Sequence, residues 1–422
     1  MDAQTYENYV NILEKELVPA LGCTEPIAVA YAGAVAAEAL GRFPERIFVA
    51  SSGNIIKNVK GVIVPNSGGQ KGIEAAAVLG ALAGDPARKL EVLSGVTPAD
   101  VEKTRELVRA GLCSVDMLPG VENLHIIVTV EAGADGVTVE IAEEHTNIVS
   151  IMKNGEYLQG GPYSAQPTGD VYTGFMSLDG IIEFAENCDL ADVRAVLDRQ
   201  IECNSRIADE GLAHDYGAAV GRTLLRHYGS DVRNRAKARA AAGSDARMDG
   251  CELPVVINSG SGNQGMTVSL PVIEYAKELG ASQDELYRAL VISNLVSIHL
   301  KSGIGKLSAF CGAVSAACGS GAAITYLNGG SRKQIEGTIT NTVANVSGMV
   351  CDGAKASCAA KIASSVDAAI MAHIMAMDGQ VFAPGDGIVM NSPEDTIHSV
   401  GRMARLGMRQ TDEEVIRIMI GK

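Results

Sequence analysis

Apolar positions at Tyr6, Val10, Leu13 and Leu17 recur at helical spacing and predict an amphipathic helix over 6–17. The next run, 27–40, is rich in alanine and closed by Gly41; Thr24 as N-cap and Pro26 in the first turn mark its start. From about residue 46 the period shortens. RIFVA and GVIVP read as strands, 72–82 and 98–110 as helices, and IIVTVEA with GVTVEIAEE as a hairpin around Gly133–Gly136, followed by NIVSIMK. Beyond the turn-rich stretch 155–169 the pattern is helical: 177–186, 190–208, 210–228, 268–279, 283–298, 306–325, 332–349, 357–376 and 411–420. These elements predict an α+β fold, with a large, mainly helical domain (1–45 and 169–422) interrupted by a smaller α/β domain (46–168).

Composition narrows the functional classes. Hydrophobic residues make up 47% of the 422 residues but aromatics only 4%, with no Trp, so the core is filled by small and branched aliphatic side chains. The 47 glycines permit close helix contacts and close approach of backbone to a ligand. A formal net charge of −15 argues against nucleic acid and against anionic membrane surfaces as partners. The N-terminal stretch is charged and amphipathic and does not read as a signal peptide, so a cytoplasmic protein is expected. The uncharged run 307–331 is long enough to span a bilayer, but its Ala, Gly, Ser and Cys content predicts a buried helix instead. A homo-oligomer is left open.

Nine cysteines are an odd number, and in a reducing compartment they are not a disulfide framework. Four fall in the segments CGAVSAACG (311–319) and CDGAKASC (351–358). Thiolates that converge select Fe–S or zinc, but C-x6-C matches neither a zinc ribbon nor a ferredoxin run. On one unbroken helix Cys351 and Cys358 would lie about 10 Å apart. A break at Asp352-Gly353 would put Cys351 on a loop and Cys358 near the start of the next helix, and so bring them together. Buried helical cysteines are the other reading that spacing allows.

Further chemistry clusters in three glycine-containing loops. NSGSGNQG (Asn258, Ser259, Gly260, Ser261, Asn263 and Gln264) follows a strand-like LPVVI and precedes a helix, a context in which backbone N–H groups can cradle a carboxylate. SSGNIIKN (with Ser52, Asn54 and Lys57) and NSGGQKG (with Asn66, Ser67 and Lys71) offer similar backbone. No nucleotide-binding pattern is present. Cys23 precedes a helix whose N-terminus would lower its pKa. His299 and Lys301 are candidates to take an α-proton, with Lys306 beside them, while Lys355 and Lys361 flank Cys358 and could offset negative charge.

The motifs LGCTEPIAVAYA, SGNIIKNVKGVIVPNSGGQKG, NSGSGNQG, GKLSAFCG and MVCDGAKASC, in this order, resemble the L-cysteine desulfidase family, which is related to the α chain of iron–sulfur L-serine dehydratases. The resemblance runs from Cys23 to beyond Lys361. It implies a [4Fe–4S] cluster held by Cys311, Cys351 and Cys358, with Cys318 outside the ligand set. Three protein ligands leave one iron open, which suits Lewis-acid chemistry rather than electron transfer. The implied activity is β-elimination from L-cysteine without pyridoxal phosphate, giving pyruvate, ammonia and hydrogen sulfide. Cys23 would then be a displaceable fourth ligand or an acid/base. L-Serine dehydration at the same cluster is the alternative within this class. An Fe–S redox or sensor protein, or a metal-free binding protein, are alternatives from other classes.

Overall fold

The computed structural model describes residues 1–121, 123–164 and 174–421. The expected domain boundary at 168/169 lies outside the described residues. The chain opens with α1 (Ala3–Glu16), the short strand β1 (Pro19–Leu21) and α2 (Thr24–Leu40), followed by β2 (Arg46–Ser52), α3 (Gly53–Lys60), α4 (Ile73–Ala83) and α5 (Pro98–Arg109). The strands β3 (Cys113–Leu118), β4 (His125–Ala132), β5 (Asp135–Ala142), β6 (Ile148–Lys153) and β7 (Glu156–Gly160) come next. Helices α6 (Leu178–Asn187), α7 (Leu190–Ala213), α8 (Val220–Tyr228) and α9 (Val232–Met248) lead to β8 (Pro254–Val256) and α10 (Gly262–Leu279). The chain ends with α11 (Gln283–Ser302), α12 (Gly312–Leu327), α13 (Arg332–Val346), α14 (Cys358–Met377), α15 (Pro393–Arg402) and α16 (Arg409–Ile420). The fold is α+β and mainly helical, as the periodicity predicts.

The six-stranded sheet has the order β3-β2-β4-β5-β6-β7, with β2 and β3 parallel and the other pairs antiparallel. Its register places Val49 opposite Val128, Val128 opposite Val139 and Val139 opposite Ile151. The three valines of this row are fully buried, because α2 and α4 cover that face. Helix α2 is apolar on nearly every side and has no polar face to turn outward. It meets α4 so closely that a Cβ on Gly80 would lie 2.1 Å from the carbonyl oxygen of Ala30, so only glycine fits there.

One apolar cluster runs from Val128 in the sheet through Ile27 in α2 to Met266 in α10 and Ile362 in α14. A second joins Tyr9 of α1 to Phe184 of α6 and Leu290 of α11. The first 45 residues thus divide between the two: α1 packs with the helices, whereas α2, which periodicity grouped with them, lies on the sheet. Helix α12, from the uncharged run, is buried, as expected from its composition. Among the described residues, α14 is the one helix long and apolar enough to cross a bilayer, and it packs against α9, α12 and α13.

Several elements differ from their expectation. GVIVP is a turn carrying one isolated bridge, Ile63 to Lys71, rather than a strand. SSGNIIKN, read as a loop, contains most of α3. Helix α10 starts at Gly262, within the glycine loop, and Gly265 lets it lie against β8: a Cβ there would be 2.0 Å from the carbonyl oxygen of Val256. Helices α9 and α15 gave no periodic signal.

Candidate active site

Four helices begin at one cavity of about 100 Å³. Cys23 is the N-cap of α2, Ser261 that of α10 and Cys311 that of α12, while Cys358 is the first residue of α14. Neither Cys23 nor Cys311 caps its helix by a side-chain hydrogen bond. First-turn N–H groups and the positive ends of the helix dipoles therefore make this an anion-favouring place.

Cys311 and Cys351 are brought side by side by a short antiparallel pairing. Phe310 bridges Val350, the Cys351 N–H donates to the Ala309 carbonyl at 2.7 Å, and the Cys311 N–H donates to Met349 at 3.0 Å. The chain then breaks at Asp352-Gly353, as the sequence suggests. Gly353 has φ 92°, and a Cβ there would lie 2.4 Å from the Lys57 carbonyl oxygen, so the turn toward Cys358 requires glycine. Lys355 and Lys361 both pair with Asp352, and Lys361 also donates to the Val350 carbonyl at 2.7 Å; they brace this loop. Lys57 is fully buried and does the same from α3, pairing with Asp412 at 2.6 Å and donating to the carbonyls of Ser308 (3.3 Å) and Cys351 (3.5 Å).

Cys23, Cys311, Cys351 and Cys358 all line the cavity, whereas Cys318 is a core residue on α12. Burial and then the neighbouring Cys351 push the Cys311 thiol up to about 12, and burial with the same neighbour raises Cys358. Sulfurs that burden one another as thiolates are a donor set that a cationic metal core would relieve. No three His, Cys, Asp or Glu side chains among the described residues are placed to hold a single ion. Zinc would require thiolates converging at about 2.3 Å from one centre. Three thiols that line one cavity beside the first turns of α12 and α14 are a donor set that suits the [4Fe–4S] cluster implied by the resemblance.

Lys301, in the last turn of α11, lines the cavity at 4% exposure. Among the described residues its Nζ has no hydrogen-bond or ion-pair partner, and burial pushes its pKa down to about 8. His299 does not join it. Two residues apart on a helix, they face opposite ways, and His299 Nε2 meets Glu394 Oε2 at 2.8 Å, away from the cavity.

Cys23 departs from expectation. Its Sγ donates to Glu25 Oε2 at 3.0 Å, and burial together with that carboxylate raises its pKa well above the ordinary thiol value. The helix N-terminus is outweighed, so Cys23 carries its proton. Burial disfavours the Glu25 carboxylate, but His145 (3.8 Å away), Cys23 and Arg247 more than offset this and hold it at about 2. Asn58 Nδ2 also donates to Glu25, at 3.2 Å.

Of the glycine-loop candidates, Ser261, Asn263 and Gln264 line the cavity. Asn258 is held by Asn294, Ser259 donates to Asn258, and Gly260 accepts from Thr24. Ser52 and Asn54 bond to Asn123 and Asp412, Asn66 donates to the Leu93 carbonyl at 2.8 Å, and Ser67 donates to Gln70 within its own turn. These side chains shape the loops without reaching the cavity. Glu25, Asn58 and Arg247 were not singled out from sequence, yet all three line it; Glu25 was legible as the acid two residues after Cys23. Two larger surface clefts, around Tyr216–Cys251 and Cys188–Arg288, bring together no such set.

A family model described as serine dehydratase alpha chain matches residues 87–417. A UPF0597 protein of Lachnoclostridium phytofermentans is 54% identical over 98% of this chain and 100% of its own. Another, from Desulfitobacterium hafniense, is 52% identical over 99% of this chain and 97% of its own. That of Vibrio campbellii is 41% identical over 99% of both chains.

Proposed function

Because the chain belongs to the serine dehydratase α-chain family, a family of lyases that generally depend on iron–sulfur clusters, we propose that it is a [4Fe–4S]-dependent lyase converting L-cysteine and water to pyruvate, ammonia and hydrogen sulfide. The observation that carries this reading is the meeting of Cys311, Cys351 and Cys358 with a buried, unpaired Lys301 in one cavity. The three cysteines would hold the cluster, which when bound would supply a Lewis-acidic iron for the departing β-substituent.

The chain's own groups handle the protons. Lys301 Nζ, desolvated and without an ion-pair partner, takes the α-proton. The C–S bond breaks, and the departing hydrosulfide takes the proton from Lys301 and leaves as hydrogen sulfide; Cys23 Sγ, which holds its proton, gives it to the β-carbon of the bound aminoacrylate and regains one from the substrate ammonium as the imine forms. Glu25 keeps Cys23 oriented. The resulting imine hydrolyses to pyruvate and ammonia. Leu307, Phe310 and Ile362 line the same cavity and restrict water.

L-Cysteine is favoured because a soft iron–sulfur centre prefers sulfur to a hydroxyl. L-Serine is the second reading, supported by the serine dehydratase description of the matching family. A small zwitterionic substrate and a cytoplasmic, reducing setting follow from the same reading. Anaerobic assay with both amino acids side by side tests it. Equal sulfide and pyruvate from L-cysteine, faster than pyruvate from L-serine, is the expected result. Faster turnover of L-serine would transfer the reading to serine, and no pyruvate from either would end it.

A further inference from the structure

Arg247 is an arginine inside the protein with one nitrogen left over. It is 2% exposed; its Nε donates to the Gly22 carbonyl at 2.8 Å and its Nη1 to Asn263 Oδ1 at 3.2 Å, while Nη2 has no partner. A Cβ on Gly262 would lie 2.5 Å from Nε and 2.8 Å from Cζ, so glycine at the first position of α10 makes the room that the guanidinium fills. One turn into the same helix, Gln264 is 4% exposed and its Oε1 likewise has no partner. Both side chains line the cavity of the cysteines. A buried donor and a buried acceptor that the protein leaves unmet are costly unless a ligand meets them.

We infer that Arg247 Nη2 and Gln264 Oε1 form the recognition pair for an α-amino acid, with Arg247 taking the carboxylate and Gln264 the ammonium. This rests on the lyase reading and deepens it. Nη1 and Nε are held by Asn263 and Gly22, so the guanidinium plane is fixed before the ligand arrives. The pair selects for a zwitterion: a β-mercapto acid without the ammonium leaves Gln264 unmet, and an aminothiol without the carboxylate leaves Arg247 unmet. Discrimination of this kind is strong because it leaves a buried polar group without a partner.

The experiment measures binding of three small probes by calorimetry: L-alanine, which has no leaving group, propionate, which lacks the ammonium, and ethylamine, which lacks the carboxylate. Holoenzyme is used in wild-type form and as Arg247→Gln, Arg247→Lys and Gln264→Leu, each checked by thermal melting. The wild type is expected to bind L-alanine roughly tenfold or more tightly than either truncated probe. In Arg247→Gln the penalty for losing the carboxylate collapses while that for losing the ammonium persists; Gln264→Leu shows the reverse. Equal penalties in variant and wild type, or no preference for L-alanine by the wild type, would overturn the inference. The wild-type comparison stands even if a variant does not fold. Turnover of L-cysteine or L-serine with these penalties absent defeats the recognition pair alone, whereas no turnover of either defeats the lyase reading.

Discussion

A lysine ammonium taken out of water is disfavoured, and in Lys301 burial outweighs the opposing pull of Cys351, Cys311 and Glu25 and depresses its pKa. Because burial outweighs these attractions, Lys301→Met should melt at a higher temperature than the wild type. The same variant should lose roughly a hundredfold or more in turnover while keeping its iron, because only the base is gone. Melting and single-turnover rates check both halves, and unchanged turnover would remove Lys301 from the proton transfer. At this scale the sequence was partly legible. Cys311, Cys351 and Cys358 stood in recognisable motifs, and Asp352-Gly353 announced the break between two of them. Arg247 did not: in RAKARAAAGSDARM it looks like one more charge on a solvated helix, and its burial arises from Gly22 and Asn263, which come from elsewhere in the chain. His145 was hidden for the same reason, since its neighbours Glu25 and Gly260 are remote in sequence.

Among the elements, α16 has a part that its position at the end of the chain does not suggest. Asp412 near its start pairs with Lys57 and accepts from Asn54, Lys60 donates to the Met419 carbonyl, and Gly53 lies where its Cβ would meet Ile416. Through Lys57 this helix reaches the carbonyls of Ser308 and Cys351, and so the two segments that carry the cysteines. Asp412→Leu leaves a buried ammonium unpaired and should cost about 3–5 kcal/mol, whereas Asp412→Leu with Lys57→Met should recover much of it. Denaturant titration reads the energies. Iron content after reconstitution should fall in the single variant, and unchanged iron would mean that α16 does not support the loop. The pattern of α11 separates two of the candidates: residues two apart on one helix cannot both face one cavity, so His299 and Lys301 are alternatives. Helix α9 could not be seen because it is buried on most sides and its alanines and arginines carry no clear period.

For the whole molecule, two apolar clusters bind the sheet and the helices together, and buried ionisable groups such as His373 contribute to the response to acid. His373 of α14 contacts Thr325 Oγ1 at 2.9 Å, and burial holds its pKa at about 4, below the ordinary histidine value. Its unfolded form binds a proton first, so its contribution to stability is complete above about pH 6.5, falls as the pH drops to about 4, and is flat below. His373→Gln should flatten that limb. Urea midpoints at pH 7 and pH 4.5 compare the two, and an equal loss in variant and wild type would contradict it. The fold class was legible at this scale because strands and helices differ in period. The side on which α2 lies was not, because a helix apolar all round does not indicate which neighbour it will meet.

The central claim, a cluster on three named thiols, is tested most directly by iron and acid-labile sulfide content after anaerobic reconstitution. Wild type, Cys358→Ser and Cys318→Ser would be compared. The account predicts about four of each per chain in the wild type and in Cys318→Ser, with marked loss in Cys358→Ser. A wild type without iron, or a Cys358→Ser variant that holds as much as the wild type, would contradict it.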